Sequence, residues 1–476
     1  YDGPAFDYIP PPGLTAPEPR HSIAIIGAGP IGLAMAVDLA TRGVPSVVLD
    51  DNNVVSVGSR AICWAKRTLE VFDRLGIGER MLAKGVTWQV GRVFHGADQV
   101  YAFDLQPETG HKYPAFINLQ QYYVEQYLVE RARDFPDLID LRFLNKVTDH
   151  QDLEDHIKIT IETPDGEYEI EADFLLACDG TPSATRHRMG LDFTGQDFDE
   201  NFLIVDIDMP ESPFKSNTAE RWFWFEPTFH SGQSALLHKQ PDNIYRIDLQ
   251  LGPDADIQAE LDEDRLVARI RAVVGDAPFT IDWKSIYRFR CARLKRFVHN
   301  RVIFVGDSAH VVSPFGARGG NGGIQDVDNL GWKLATVLAG GNPALIESYN
   351  IERVQAADEN ILNSARTTNF MTPKSATEAL FRNEVLRLAR TLPFARRLIN
   401  AGRLSVPCVL DSPLSTPGAA PVSPGTAIPD APHGAGWLIE RLQGQFTLAS
   451  FGRAVATRHP TVPSVHITDA VAVERY

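Results

Sequence analysis

The sequence predicts an α/β fold built around a Rossmann-like dinucleotide-binding unit. The apolar segment IAII precedes Gly27, Gly29 and Gly32 in the pattern G-x-G-x-x-G, and the helical segment LAMAVDLA follows. A second apolar segment, SVVLD, ends at Asp50. The first glycine permits a tight turn, the second lets a pyrophosphate approach, and the third allows close packing of helix and strand. This unit alone does not distinguish NAD from FAD.

Composition and charge exclude several classes of function. The chain has 476 residues, enough for two or three domains, and its net charge of −15 argues against a nucleic-acid or anionic membrane surface. No apolar stretch reaches the 18 residues of a membrane span, so we expect no membrane association. The four cysteines show no pairing pattern, and no His/Cys cluster has metal-ligand spacing. These features predict a cytoplasmic protein without a metal.

Two later segments have the same form, a strand followed by a glycine and an acid. EADFLLACDG ends in Asp179 and Gly180, and RVIFVGDSAH contains Gly306 and Asp307. Asp-Gly is also a common turn pair, so Asp179 could simply begin a turn. His310 closes the second segment, where a packed, hydrogen-bonded histidine is favoured over a catalytic base.

The three motifs together carry a family resemblance. GAGPIG, CDGTPSATR and VGDSAH with a downstream PFG resemble the fingerprints of the single-component (class A) FAD-dependent aromatic hydroxylases, which have the p-hydroxybenzoate hydroxylase fold. The resemblance covers roughly residues 20 to 400. Among subfamilies, the segment GSRAICWAKRTLE is most similar to 3-(3-hydroxyphenyl)propionate hydroxylase-type members.

The resemblance implies an FAD site drawn from several segments. Arg60 matches an arginine near the pyrophosphate, although it could instead be a solvated surface residue. Gln121 matches a polar residue beside the ribityl chain or ribose, and Asp307 a residue that accepts the ribityl hydroxyls. The complete set of implied FAD contacts is Gly27, Gly29, Gly32, Asp50, Arg60, Gln121, Asp179, Gly180, Gly306, Asp307, Pro314, Gly319, Gly320 and Asn321.

Residues 200–295 change in character and predict an inserted antiparallel β-sheet. Segments such as RWFWFEP and NIYRIDLQL alternate with period two. In the resembling family such a sheet covers the substrate pocket. Which face of RWFWF meets the pocket is undecided, and core packing is an alternative for each aromatic residue. The candidate catalytic or pocket residues are His238, Tyr245, Arg246 and Pro314, with Trp224 beside them.

The predicted domain division has five parts. They are an extended arm (1–20), a discontinuous FAD-binding domain (21–199 and 296–400), a substrate-binding β domain (200–295), a linker (401–434) and a partial thioredoxin-like region (435–476). The segment DADIQAELDEDRLVARIRAVVG is expected to form one helix within the β domain. The last region has no CxxC motif, so redox exchange is not expected there.

The resemblance implies a monooxygenase that hydroxylates a phenolic compound. NADPH or NADH would reduce FAD, O₂ would give a flavin C4a-hydroperoxide, and a homodimer is expected. The alternative is an oxidoreductase of the same fold, a dehydrogenase or reductase, which inserts no oxygen. One residue departs from the family pattern: Arg318 stands where Gln is common, and its side chain could face either solvent or the flavin.

Overall fold

The computed structural model describes residues 3–105, 109–214, 218–230, 232–399, 405–416, 418, 422–442, 444–455 and 461–476. The α-helices are α1 (Pro30–Thr41), α2 (Lys66–Arg74), α3 (Gly78–Lys84), α4 (Gln121–Ala132), α5 (Ala184–Arg188), α6 (Ile257–Glu260), α7 (Glu263–Val274), α8 (Gly319–Leu338), α9 (Ala344–Met371), α10 (Ala376–Ala389), α11 (Pro393–Leu398), α12 (Leu438–Arg441) and α13 (Ala470–Arg475).

The strands divide mainly between two large sheets. Strands β1 to β12 are β1 (His21–Ile26), β2 (Ser46–Leu49), β3 (Cys63–Ala65), β4 (Val86–Thr87), β5 (Val90–His95), β6 (Asp98–Asp104), β7 (Phe116–Asn118), β8 (Ile139–Arg142), β9 (Lys146–Asp152), β10 (Ile157–Thr163), β11 (Gly166–Ala177) and β12 (Phe193–Asp208). Strands β13 to β23 are β13 (Glu220–Phe225), β14 (Ser234–Lys239), β15 (Ile244–Gly252), β16 (Thr280–Leu294), β17 (Val298–His299), β18 (Val302–Phe304), β19 (His310–Val311), β20 (Pro432–His433), β21 (Gly436–Trp437), β22 (Leu448–Phe451) and β23 (Ser464–Ile467).

The first large sheet has the order β17-β18-β11-β1-β2-β8, and β10 and β9 extend it beside β11. Strands β18, β11, β1, β2 and β8 run parallel, so their carboxyl ends meet at one edge. The four residues of β2 and the last four of β1 are all buried, as expected for strands covered on both faces. This arrangement confirms the predicted Rossmann-like α/β fold.

Helices α1 and α8 pack closely against each other beside this sheet. The helices approach so closely at Gly331 that a Cβ atom there would lie 1.7 Å from Asp38 Oδ2. Asp38 cannot easily move, because Arg42 Nε donates to it at 3.0 Å and Arg74 also pairs with it. The last turn of α1 and the middle of α8 are thereby held together beside the sheet.

The second large sheet has the order β19-β16-β12-β15-β14-β13-β5-β6. Strands β5 and β6 come from residues 90–104, so a segment of the predicted FAD-binding part joins the sheet of the predicted β domain. Helix α7 contributes Leu266 and Ile270 to the apolar core on one face of this sheet. The opposite face lines a cavity. The period-two alternation of these strands separates the two faces.

One predicted helix is divided in the structure. The segment 254–275 forms α6 and α7, with Leu261 and Asp262 between them. The Asp262 side chain accepts a hydrogen bond from Arg265 N at 3.2 Å, so it caps the start of a new helix. The expectation of a single helix was therefore wrong, because an aspartate at this position begins a helix as readily as it continues one.

The C-terminal part forms small elements. Strands β22 and β23 pair in parallel, and β20 and β21 form a separate antiparallel pair. Within the described residues, no helix is long and apolar enough to cross a membrane. Among the same residues, no group of three or more His, Cys, Asp or Glu side chains is arranged to hold a metal ion.

We expect Gly331→Ala to lower the free energy of unfolding by about 1–3 kcal/mol, the usual range for overpacking a core. The added methyl group meets Asp38 at a contact that the two arginines hold in place. Chemical denaturation with urea measures the change. Gly418→Ala is the control, because no atom of the described residues lies within 4 Å of its Cβ position. Equal stabilities for the two variants would contradict the close α1–α8 contact.

Candidate functional site

Residues of both large sheets line one cavity of about 1040 Å³. Its floor lies at the carboxyl ends of β1, β2, β11 and β18, where ligands bind in open α/β sheets. Its roof is the inner face of the second sheet. The predicted site residues that line it are Gly27, Gly29, Asp50, Arg60, Gln121, Asp179, Gly180, His238, Arg246, Asp307, Pro314, Gly319, Gly320 and Asn321.

The first glycine loop is shaped by close backbone contacts. Gly27 has φ +102°, and a Cβ atom there would lie 2.5 Å from the Cys178 carbonyl oxygen. Gly32 does not line the cavity, but its own Cβ would lie 1.9 Å from the Gly27 carbonyl oxygen, so it allows α1 to start against β1. In the part of the chain that the structure describes, nothing lies within 4 Å of the Cβ position of Gly29, which leaves open space over the loop. The loop therefore forms a cradle that side chains would fill.

Asp50 stands at the end of β2 beside this cradle. One carboxylate oxygen accepts a hydrogen bond from Ala28 N at 2.5 Å, and the other from Asn52 N at 2.8 Å. Burial raises the pKa of Asp50, and the two backbone donors oppose that shift. The carboxylate is thus oriented towards the glycine loop, with acceptor capacity left for a ligand hydroxyl.

Asp179 has a structural use as well as its place in the cavity wall. It accepts hydrogen bonds from Ser183 Oγ at 2.6 Å and from Thr185 N at 2.9 Å, and so holds the start of α5. Gly180 follows with φ +72°. The turn that the Asp-Gly pair suggested is therefore present, and it leads directly into a helix.

Gly306 and Asp307 follow β18 at the neighbouring strand end. Asp307 lines the cavity, and Thr181 Oγ1 donates to it at 3.3 Å. Burial raises the pKa of Asp307, and the charge of His310 opposes that shift. Gly306 lies below the cavity wall, with φ +68° and its Cβ position 3.0 Å from the Ile31 side chain in α1.

The second glycine segment begins α8 at the cavity. Asn321 Oδ1 accepts from Ala65 N at 2.9 Å, and its Nδ2 donates to the carbonyl oxygens of Cys63 and Ala317. Asn321 therefore fastens the first turn of α8 to β3. Gly320 lies against Trp64, where a Cβ would be 3.3 Å from the indole ring. The free N–H groups of this turn face the same cavity as Pro314.

Arg318 faces the protein interior. Its side chain is 5% exposed, and Nη1 donates to Asn360 Oδ1 of α9 at 2.9 Å. Burial lowers the pKa of Arg318, and the Glu359 carboxylate opposes the shift. The guanidinium thus ties the glycine segment to α9, which removes the solvent-facing alternative.

Arg60 and Gln121 lie on the other wall. Arg60 has φ +33°, and its carbonyl oxygen accepts a hydrogen bond from Arg246 Nη1 at 2.8 Å. Gln121 Nε2 donates to Glu125 Oε1 at 2.7 Å, and its Oε1 accepts from Ala61 N at 3.3 Å. Both residues are therefore held by neighbours while they border the cavity.

The roof brings together His238 and Arg246 but leaves Tyr245 out. His238 and Arg246 are direct cross-strand partners of β14 and β15. Tyr245 lies on the opposite face, in the core with Phe214 and Leu266, because adjacent residues of a strand point to opposite sides. Trp224 lies in that same core. The expectation that these two rings meet the pocket is not supported by the structure.

Several polar residues of the roof were missed by sequence reasoning. Arg221 and Asp248 line the cavity, and the buried Asp206 pairs with Arg246 at 3.3 Å. A signal existed: Arg221 is the single charge in the segment RWFWF and shares its face with Phe223. Choosing the face required the register of the sheet, which only the folded chain supplies.

Burial lowers the pKa of His238 to about 4, Arg221 adds to the effect, and Asp248 opposes it. The His238 Nε2 atom lies 3.4 Å from Asp248 Oδ2. His238 is therefore a neutral imidazole near neutral pH, able both to donate and to accept a hydrogen bond.

His310 belongs to a buried network below the site. Its Nε2 lies 2.7 Å from Asp326 Oδ2, and Arg353 Nε donates to Asp326 Oδ1 at 2.5 Å. The imidazole is 2% exposed and does not line the cavity. A packed, hydrogen-bonded histidine, the favoured interpretation, is what the structure shows.

The comparison with protein families defines the class of this site. The family described as an FAD binding domain matches residues 20–364. The chain belongs to this family, and it is a flavoprotein monooxygenase of the aromatic hydroxylase class.

Curated relatives share the chain over most of its length. A 12-dehydrotetracycline 5-monooxygenase/anhydrotetracycline 6-monooxygenase of Streptomyces rimosus is 28% identical, with 87% of this chain and 81% of the relative covered. A flavin-dependent monooxygenase of Mycobacteroides abscessus is 30% identical, covering 71% and 72%. A 3-(3-hydroxy-phenyl)propionate/3-hydroxycinnamic acid hydroxylase of Klebsiella pneumoniae is 28% identical, covering 86% and 73%.

Solved structures show the same fold. The rebeccamycin biosynthetic enzyme RebC with reduced flavin has a TM-score of 0.78 at 24% identity, covering 97% of this chain and 93% of that one. The p-nitrophenol 4-monooxygenase PnpA from Pseudomonas putida has a TM-score of 0.71 at 24% identity, covering 81% and 98%.

The low pKa of His238 predicts a pH-dependent stability. An unfolded histidine takes up its proton near pH 6.5, whereas the folded one resists until about pH 4. The folded state therefore loses stability as pH falls through this window, by up to about 3 kcal/mol. Urea unfolding of the wild type and His238→Gln between pH 4.5 and 7.5 measures it. The variant should show a shallower loss over this interval, and parallel curves would contradict a neutral buried imidazole.

Proposed function

We propose that the cavity holds FAD along its floor and an aromatic substrate beneath its roof, and that the protein hydroxylates a phenolic ring. One observation carries this proposal. The glycine loop, Asp50, Asp307 and the start of α8 border a single cavity with the inner face of the second sheet, in a chain of an FAD-binding family.

The residues at one end of the floor fit the ADP half of FAD. The N-terminus of α1 offers backbone N–H groups and a positive dipole to the pyrophosphate. The cradle over Gly29 admits the phosphates, and Asp50 can accept ribose hydroxyls. Arg60, exposed at the cavity rim, supplies a guanidinium that can pair with the same phosphates.

The other end fits the ribityl chain and the flavin ring. Asp307 can accept ribityl hydroxyls, and Gln121 borders the same cavity from the wall that carries Arg60. Gly319, Gly320 and Asn321 line the cavity at the N-terminus of α8, where the positive end of the helix dipole would favour negative charge on a bound ring. Pro314 would lie beside that ring.

The roof excludes water and orients the substrate. Five side chains supply an apolar lining, namely Phe202, Ile204, Leu236, Tyr287 and Phe289. The neutral imidazole of His238 can accept a hydrogen bond from a substrate hydroxyl, or donate one to a substrate oxygen. Arg246 acts through its neighbours, since its hydrogen bonds hold the Ser59–Arg60 turn.

Bound FAD would supply hydride acceptance from NADPH or NADH and activation of O₂ for transfer of one oxygen atom to the ring. The protein would contribute position, dryness and control of protons. The relatives named above act, by name, on tetracycline precursors and hydroxyphenyl acids, which supports a phenolic substrate.

A direct experiment tests the function. The purified protein, reconstituted with FAD, should be yellow and should oxidise NADPH or NADH faster when a phenolic substrate is added. Under ¹⁸O₂ the product should carry one labelled oxygen atom. Substrate-dependent turnover without label would identify an oxidoreductase of the same fold, and failure to bind FAD would overturn the proposal.

Asp50→Ala and Asp307→Ala should each weaken FAD binding about 10- to 100-fold, since a hydrogen bond to a charged group contributes roughly 1.5–3 kcal/mol. Fluorescence titration of the apoprotein with FAD measures the dissociation constants. Asp137→Ala, at an exposed position away from the cavity, is the matched control. Unchanged FAD affinity in both variants would show that neither carboxylate contacts FAD.

Three other features stay predictions. They are the five-part domain division, the homodimer and the cytoplasmic location. Size-exclusion chromatography with light scattering tests the second, because it measures the mass of the particle independently of its shape.

A further inference from the structure

A row of polar side chains crosses the roof of the cavity. In the register of the sheet, Arg221 of β13 lies opposite His238 of β14, His238 lies opposite Arg246 of β15, and Arg246 lies opposite Asp206 of β12. Asp248 stands two residues beyond Arg246 on the same face. The rest of this face is largely apolar, so the row is a distinct polar strip above the floor.

Most members of the row have protein partners. Arg246 donates to Ser59 Oγ at 2.5 Å, to the Arg60 carbonyl oxygen at 2.8 Å and to Asp206 at 3.3 Å. His238 and Asp248 approach each other at 3.4 Å. The charges of Arg246 and Asp206 compensate each other, and the carboxylate of Asp248 faces the imidazole.

Both ring nitrogens of His238 lack a hydrogen-bond partner among the described residues, and so do two donors of the permanently charged Arg221. Its residue is 7% exposed, yet Nε and Nη1 are buried and have no hydrogen-bond acceptor among the residues that the structure describes. Its guanidinium carbon lies 5.6 Å from the ring centroid of Trp88. A cation–π contact is weaker than the hydrogen bonds a guanidinium makes to oxygen anions.

A buried guanidinium without an acceptor destabilises the fold that contains it. A bound ligand that supplies the acceptor would remove this energetic cost. Arg221 lines the same cavity as Pro314 and Gly319, so a ligand that reaches it also lies above the proposed position of the flavin ring.

We propose that Arg221 binds a carboxylate of the substrate and that His238 takes up a proton when this carboxylate enters. The proposal rests on the proposed function and names its substrate class, a phenolic acid. Arg221 and not Arg246 recognises the acid, because the guanidinium of Arg246 already donates to Ser59, Arg60 and Asp206.

The proton follows from charge balance. Before binding, Arg221 and Asp248 compensate each other across the neutral imidazole, and Arg246 compensates Asp206. An added carboxylate leaves one excess negative charge in a buried site, where uncompensated charge is costly. A proton on His238 restores neutrality and pairs the imidazolium with Asp248. Arg246 is the other charged group that acts on His238, and the Cys63 thiol, whose pKa is raised by burial, lines the same cavity.

The test uses binding to the oxidised FAD-loaded protein and needs no turnover. The probes are 3-hydroxybenzoate, 3-(3-hydroxyphenyl)propionate and 3-hydroxycinnamate, each paired with its neutral amide. By isothermal titration calorimetry, the wild type should bind at least one acid 10-fold or more tightly than its amide. Titrations near pH 6 in buffers of different ionisation enthalpy should show proton uptake, up to one per acid bound.

Arg221→Gln should lose the preference for the acid, with acid affinity falling 10- to 100-fold and amide affinity nearly unchanged. His238→Gln should abolish the proton uptake. Arg290→Gln is the matched control, because this arginine belongs to the same sheet but pairs with the exposed Asp197 outside the cavity. It should keep both the acid preference and the uptake.

Thermal unfolding of Arg221→Met separates a binding role from a structural one. Without ligand its melting temperature should equal or exceed that of the wild type, because the variant removes two buried N–H donors that have no acceptor among the described residues, and a proton on His238 can balance Asp248. A marked decrease would show that Arg221 serves the fold, and it would overturn the proposal.

The binding results for the wild type test the proposal without any variant. Equal binding of acids and amides by the wild type, or no binding of any acid, would overturn the proposal, as would acid binding without proton uptake. Acid selectivity through Arg221 without ¹⁸O incorporation would leave this inference standing and refute the proposed function instead.

Discussion

A buried carboxylate, Asp326 of α8, connects the elements that form the floor of the site. It accepts from Gly306 N at the end of β18, from Arg353 of α9, and pairs with His310. Burial alone would raise the pKa of Asp326. The charges of His310 and Arg353 outweigh this effect and hold the pKa below its usual value, so the carboxylate remains ionised. The position of Asp307 relative to α8 is therefore fixed, as a cofactor that contacts both would require.

The close approach of α1 and α8 depends on small residues in the same region. Ile31 of α1 fits between Gly306 and Gly323, where added Cβ atoms would lie 3.0 Å and 2.6 Å from its side chain. The glycine segment after β18 thus has two functions. Gly319 and Gly320 face the cavity, whereas Gly323 lets the two helices and the strand end pack together.

The two faces of the sheet that forms the roof differ in polarity. Its outer face is an ordinary apolar core, and its inner face carries a polar row within an apolar surface. Arg246 and Asp206 use this row to hold the Ser59–Arg60 turn, which links the roof to the floor. Among the described residues, Arg221 Nε and Nη1 and both ring nitrogens of His238 have no such partner, and these unsatisfied groups beside the cavity point to a ligand.

Most residues that sequence reasoning assigned to the FAD site border the floor of one cavity, because local backbone chemistry determines where they lie. A G-x-G-x-x-G loop between a strand and a helix, or a Gly-Asp pair after a buried strand, has one stable arrangement that neighbouring residues dictate. Fourteen positions were expected to contact FAD; Gly32 and Gly306 alone among them lie behind the cavity wall, where they permit close packing.

The roof could not be predicted in the same way. Alternation separates Tyr245 from Arg246, but it does not say which face meets the cavity, since both faces of this sheet are buried. That choice depends on contacts between residues far apart in the chain, such as Arg246 with Ser59. The sequence by itself determined the dinucleotide fold and the positions of its acidic residues, because these depend on neighbouring residues in the chain. Only the tertiary structure decided which charged residues face the substrate space, because that choice depends on sheet register and on the packing of distant segments.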